Sequence, residues 1–229
     1  MNDNMEWSKA QPDPNHTGAE AKQNQAQNDL FAELSQYLKE NNDPLQLKNQ
    51  RRIPPLANWH PKQVVDIDIV IKANGEWWHD GRPILRQALV NLFATILLQE
   101  TINGEIQYFL KTPAQKLRIE VEDAPLLIDS VAVAIEDEVA FLEFTTNTGD
   151  VVRLDHEHLI CLKPFMAKGA SSADIRPYMF IRDGLSALIN RNTFYHLIDI
   201  GKLQEKNGQT VLLLQSGNQN FNIAMPIDS

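Results

Sequence analysis

The alternation of apolar and polar positions is clearest at 65–71. Val65, Ile67, Ile69 and Ile71 are separated there by Asp66, Asp68 and Val70. A period of two puts the odd residues on one face of a strand and the even ones on the other. Asn74-Gly75 follows, a pair suited to the left-handed backbone of a tight turn, and Glu76-Trp77-Trp78-His79 reads as the returning strand. The period then changes. Leu85, Leu89, Leu92 and Ile96 recur at helical spacing, widened by Val90, Phe93 and Leu97, which predicts a helix over about 84–99. Asn103-Gly104 turns the chain into a strand at 106–112. Pro113-Ala114-Gln115 turns it again into one at 116–121.

Ala124-Pro125 reads as the boundary between two units. Beyond it the pattern predicts strands at 126–135, 139–145 and 151–154. Glu136-Asp137-Glu138 and Asn147-Thr148-Gly149-Asp150 are their turns. A loop at 168–173, a strand at 178–181 and a second helix reaching Ile200 follow, with Gly201 as the stop. A last hairpin spans 209–215 and 220–224 around Ser216-Gly217-Asn218.

The two predicted helices share a phrase. Asp80-Gly81 precedes Arg86, and Asp183-Gly184 precedes Arg191. From each arginine the chain reads Arg-x-x-Φ-Φ-x-Φ-Φ, where Φ is apolar or aromatic. Two such segments point to an internal duplication. The fold class expected is α+β, with an antiparallel sheet and one helix in each copy. The first copy spans 52–124 and the second 125–229.

Helical projection places Arg86 between Phe93 and Leu97, and Arg191 near Phe194, Ile198, Tyr195 and Leu188. Both then lie within apolar arcs. A desolvated guanidinium needs a partner, and its planar fork suits a carboxylate or a phosphate. One reading pairs these arginines internally with Glu120, Glu122 or Asp123. The other has them grip an anionic ligand where the copies meet, with Trp77, Trp78, His79 and Arg82 beside Arg86 as further contacts. On this reading Arg86 is the ligand contact and Arg191 the structural anchor.

Before the first strand the chain has a different character. Residues 8–28 carry no large apolar side chain, so residues 1–28 read as a disordered tail. Leu30, Phe31, Leu34, Tyr37 and Leu38 follow helical spacing and predict an amphipathic helix over 29–43. The prolines and tryptophan of Ile53-Pro54-Pro55 and Trp59-His60-Pro61 mark an extended lead-in.

Charge and composition then narrow the function. With 21 basic and 30 acidic residues among 229, the net charge of −9 disfavours nucleic-acid and polybasic membrane contacts. Cys161 is the only cysteine, which rules out an internal disulfide and a cysteine-based zinc cluster. The first residues lack the basic start and apolar run of a signal peptide, so the expected location is cytoplasmic. His156 and His158 would share a face of a strand, but no third ligand has diagnostic spacing, and no metal or cofactor is expected. Gly169-Ala170-Ser171-Ser172 lacks the lysine pattern of a phosphate loop. No nucleophile elbow or catalytic dyad is evident.

Longer stretches carry a family resemblance. They include Trp59-His60-Pro61, Asp66-Ile67-Asp68, residues 75–84, Leu92-Phe93, Thr112-Pro113, residues 120–125 and residues 177–191. Together they resemble the bacterial domain-of-unknown-function family 1285, from about Ile53 to the carboxyl end. The resemblance implies a duplicated fold with a pleckstrin-homology-like second half. It also implies a ligand, a nucleotide being one candidate, at the interface of the halves, and a part in signal transduction. It supplies no catalytic residue. The expectation is a non-enzymatic ligand-binding or regulatory protein. The alternatives are a protein-interaction module with purely structural arginines, and an enzyme acting on a phosphorylated small molecule.

Overall fold

The computed structural model describes residues 53–224 apart from residue 207. The expected tail and the amphipathic helix at 29–43 lie outside these residues. Within them the chain is mostly strand, with two α-helices. The strands are β1 (Gln63–Ile71), β2 (Trp77–His79), β3 (Arg82–Pro83), β4 (Leu97–Ile102), β5 (Glu105–Lys111), β6 (Gln115–Val121), β7 (Leu126–Glu136) and β8 (Val139–Thr146). They continue with β9 (Val151–Arg153), β10 (Ile160–Phe165), β11 (Asp174–Arg182), β12 (Leu185–Ile189), β13 (Lys202–Lys206), β14 (Gln209–Ser216) and β15 (Gln219–Ala224). Helix α1 is Gln87–Thr95 and helix α2 is Arg191–Ile200.

A six-stranded sheet in the first half has the order β3-β2-β1-β6-β5-β4, and one in the second has β10-β11-β12-β7-β8-β9. In each, one central pair is parallel, β1 with β6 and β12 with β7, and the other pairs are antiparallel. Strands β13, β14 and β15 form a separate antiparallel sheet. Buried apolar residues of both halves join in one contiguous core, from Ile67 and Phe93 to Leu197 and Ile223. The alternation at 65–71 is realised: Ile67, Ile69 and Ile71 are buried and Val65 is half-buried against the core.

The tight turns follow their residue types. Asp80-Gly81 and Asp183-Gly184 both have positive φ at both residues, as do Asn103-Gly104 and Asp137-Glu138. That backbone matches the right-handed twist of the strands it joins. Asp80-Gly81 links β2 to β3, and Asp183-Gly184 links β11 to β12.

The helices are shorter than their periodicity suggests. Helix α1 ends at Thr95, whose hydroxyl bonds back to the Leu92 carbonyl at 2.6 Å, while the Ile96 N–H reaches Phe93. Leu97 and Leu98 then pair with Leu110 and Phe109 as β4. A short apolar run fits either template, and the open edge of β5 decides it here. The second helix begins only at Arg191, because 185–189 is a strand in which Leu185, Ala187 and Ile189 are buried alternately. Asn190 caps it, its side-chain oxygen accepting from the Thr193 N–H at 2.7 Å, a cap worth about 1 kcal/mol.

Candidate functional site

Both arginines stand at helix entrances rather than on core-facing stripes. Arg86 is the residue before α1 and Arg191 the first residue of α2, and both are exposed. Helical projection misplaced them because it ran each helix too far toward the amino terminus. Leu85, assigned to the apolar stripe, is 88% exposed. Tyr195 is also exposed, and the buried residues of α2 are Thr193 and Leu197.

The internal ion pairs expected for these arginines do not form. Glu122 accepts from Lys72 Nζ at 2.8 Å and from the Ala73 N–H at 3.0 Å. These bonds draw its carboxyl below the ordinary range, that from Lys72 most strongly. Asp123 is almost wholly buried between Arg176, whose Nη1 donates at 2.8 Å, and Tyr178, whose hydroxyl donates at 2.7 Å. Burial first, and then the bond to Asp123, push the Tyr178 phenol well above its usual value. Glu120 is exposed on β6. Among the described residues, neither Arg86 nor Arg191 makes an ion pair.

A cleft of about 560 Å³ lies where the halves meet. The turn after β1 supplies Ala73 and Asn74 from the first half. Its position is fixed on both sides. Glu122 holds the Lys72-Ala73 segment, and Gly75, at φ +84°, presses so close to Leu127 of β7 that a Cβ there would sit 2.9 Å from the leucine side chain. Leu127, Leu162 and Leu188 give the cleft apolar surface, and Phe194 and Tyr195 of α2 line it as well. Arg176 and Arg191 are its two guanidinium groups.

The two cations differ in how they are held. Arg176 is bound by Asp123, lies 3.5 Å from Asp174, and has its guanidinium 4.1 Å from the centre of the Phe165 ring. Its geometry is set before any guest arrives. Arg191 has no carboxylate of its own among the described residues. A bare guanidinium beside apolar surface at the rim of a cleft suits an anion.

The other expected contacts are not gathered here. Trp77 is buried against Phe93, with ring centres 6.0 Å apart. Trp78 donates its indole N–H to Glu76 and lies 5.6 Å from Lys72 Nζ. His79 Nδ1 lies 2.8 Å from the Asp68 carbonyl, and Arg82 is exposed on β3. Trp77 lines a smaller hollow of about 190 Å³ beside the Asn74-Gly75 turn, together with Pro83, Leu85 and Gln87. Arg86 lines neither cavity. His156 and His158 do not share a strand face, because they fall on a bend. His158 is tied to Asp155 at 3.0 Å, while the His156 ring lies 6.2 Å from that of Phe221. Among the described residues, no cluster of three or more His, Cys, Asp or Glu could hold a metal ion. Nor is any helix there long and apolar enough to cross a membrane.

The arginine that does cross between the halves was missed. Arg182, just before Asp183-Gly184, donates Nε to buried Asp150 at 2.9 Å and Nη2 to the Ala94 carbonyl at 2.6 Å. Ala94 lies in the last turn of α1, where the unpaired carbonyls favour a cation. The only signal in the sequence was its place before an Asp-Gly pair, where the first half has His79.

Comparison with known proteins sets this architecture in a family. The chain matches the N-terminal domain of DUF1285, "Domain of unknown function (DUF1285)", over residues 54–124. It matches the C-terminal domain, "Protein of unknown function (DUF1285)", over residues 125–223. No curated protein matches. The crystal structure of a DUF1285 family protein from Silicibacter pomeroyi DSS-3 is similar at 33% identity, covering 77% of this chain and 90% of that one with a TM-score of 0.62. One from Shewanella baltica OS155 matches at 27% identity over 57% of this chain and 90% of that one, with a TM-score of 0.39. Two domain matches in tandem and a relative sharing a third of its residues together place the chain in the DUF1285 family.

Proposed function

We propose that the cleft between the halves binds a small anionic ligand, and that the protein works by binding, as a non-enzymatic sensor or regulator, rather than by catalysis. The observation that carries this reading is Arg191: an exposed guanidinium without an ion pair among the described residues, on the wall of a 560 Å³ cleft that both halves build. Nucleotides are one ligand class to test, and signal transduction is the role that suits a binding protein of this kind. The alternative of purely structural arginines finds less support, since among the described residues neither Arg86 nor Arg191 meets the acid it would need.

The reading includes an internal duplication. A hairpin with an Asp-Gly turn, an arginine at a helix entrance and a three-strand meander occur in that order in both halves. In the first half the meander returns to the main sheet beside β1, and in the second it stands apart. The second half, with its six-stranded sheet, closing three-stranded sheet and α2, is proposed to be pleckstrin-homology-like.

A thermal-shift screen with nucleotides, phosphorylated metabolites and organic acids tests the proposal. At least one compound should raise the melting temperature of the native protein. Arg191→Met should abolish that shift while melting close to the native protein when no compound is added. The reading fails if no compound shifts melting, or if Arg191→Met leaves the shift intact.

A further inference from the structure

The cleft's hydrogen-bonding groups are unequal in kind. Asn74 Oδ1 already accepts from the Glu76 N–H at 3.1 Å, and Asn190 Oδ1 from the Thr193 N–H at 2.7 Å. Each amide oxygen therefore has one of its two lone pairs engaged, while its NH₂ offers two donors to a guest. Arg176 and Arg191 add only donors. The one carboxylate on the lining, Asp174, is exposed at the rim, with its Oδ2 3.5 Å from Arg176 Nη2. A site so composed has more donors than acceptors, and its one carboxylate stands out at the rim.

That inventory discriminates between ligands. A nucleobase edge carries N–H groups as well as acceptors, and each N–H buried without a partner costs about 1–3 kcal/mol. A carboxylate accepts only, and it meets donors alone without loss. The rest of the lining is aliphatic and aromatic, with Leu127, Leu162, Leu188 and Phe194 among its residues. Such surface rewards an apolar body.

From this we infer that the ligand is an amphipathic carboxylate: an acceptor-only head at Arg191 and the Asn74 and Asn190 amides, and an uncharged apolar body along the leucines and Phe194. This rests on the cleft being an anion site. It goes beyond that reading by setting nucleotides aside in favour of organic acids.

Calorimetry on the full chain, with decanoate kept below its micelle concentration, tests it. Decanamide, ATP and inorganic phosphate serve as the comparison probes. Decanoate should bind with one site per chain, and decanamide, with the same body and no charge, at least tenfold more weakly. Arg191→Gln should weaken decanoate tenfold or more and leave decanamide unchanged. Asn74→Asp keeps the acceptor for the Glu76 N–H, so the turn persists, but it puts a negative charge beside the head. It should also weaken decanoate. The inference is overturned, with the anion site intact, if ATP or phosphate binds in an Arg191-dependent way and decanoate does not. It is likewise overturned if decanoate binds equally well to Arg191→Gln. If none of the four probes binds, this inference falls, while the anion site is decided by the wider thermal-shift screen.

Discussion

The two helix entrances are spelled alike and placed differently. In the first, the Asp80-Gly81 turn leads through exposed Leu85 and Arg86 into α1, and a Cβ added at Gly81 would meet nothing within 4 Å. In the second, Asp183-Gly184 lies against Gln99 of the other half, half-buried Arg182 reaches across the junction, and Arg191 opens onto the cleft. Local sequence fixes the turn and the helix start in both. Only packing against the opposite half turns the second into a candidate site. A repeated motif thus identifies an equivalent structure, but not an equivalent role.

The comparison breaks most visibly at the residue before each Asp-Gly pair. Arg182→Met should remove the link between Asp150 and the Ala94 carbonyl and take the guanidinium from a buried carboxylate that keeps its bonds from the Thr146 and Thr148 hydroxyls. A loss of about 3–5 kcal/mol is expected in urea denaturation. His79→Gln, at the matching place in the first half, should cost less than about 1.5 kcal/mol, since it loses a hydrogen bond to the Asp68 carbonyl and a 3.4 Å contact with exposed Asp80. Equal losses would mean that the second entrance is no more deeply fastened than the first.

Glycine turns sharpen the contrast at a smaller scale. Gly75 and Gly81 both hold positive φ, so alanine at either should cost about 1–2 kcal/mol for the backbone alone. Only at Gly75 does the new methyl group meet a neighbour, the Leu127 side chain across the junction. Gly75→Ala should therefore be the more destabilising by about 1 kcal/mol or more. Equal effects in parallel melts would show that the turn does not press on β7.

The smallest effect concerns the fastening at Asp123. The folded-state pKa of Tyr178 is raised above its unfolded value near 10, by burial first and by Asp123 second. Its contribution to stability is thus complete below about pH 10 and is lost as pH rises beyond that. Tyr108, raised by burial and then by the Asp123 charge, adds to the same slope. Tyr178→Phe should reduce the fall in stability between pH 10 and 11, measured by denaturation at each pH. An unchanged slope would place the alkaline loss elsewhere.

Much of the fold was legible because its turns carry their own chemistry. Asn74-Gly75, Asn103-Gly104 and both Asp-Gly pairs adopt positive φ as their residue types favour, and the alternation at 65–71 marked its buried face correctly. The helix limits were less legible. Ile96, Leu97 and Leu98 suit a helix or a buried strand equally, and what decides is β5, which the local pattern does not contain. Leu185, Ala187 and Ile189 did alternate, but Leu188 also fitted the helical template and obscured the strand. The site was the least legible part. Asn74 and Arg191 line one cleft only through the packing of β1's turn on β7, and Arg182 matters only because the end of α1 lies beside it. No spacing in the chain records either approach.

The central claim is that the anion site lies at the second helix entrance and not at the first. Amide chemical-shift mapping by heteronuclear NMR tests this most directly, titrating the native protein with the compound that raises its melting temperature most. The account predicts perturbations concentrated at Ala73, Asn74, Asn190, Arg191 and Phe194, with Asp80, Arg82 and Arg86 unmoved. Perturbations centred on Trp78, Arg82 and Arg86, with the Asn190–Phe194 amides unchanged, would contradict it.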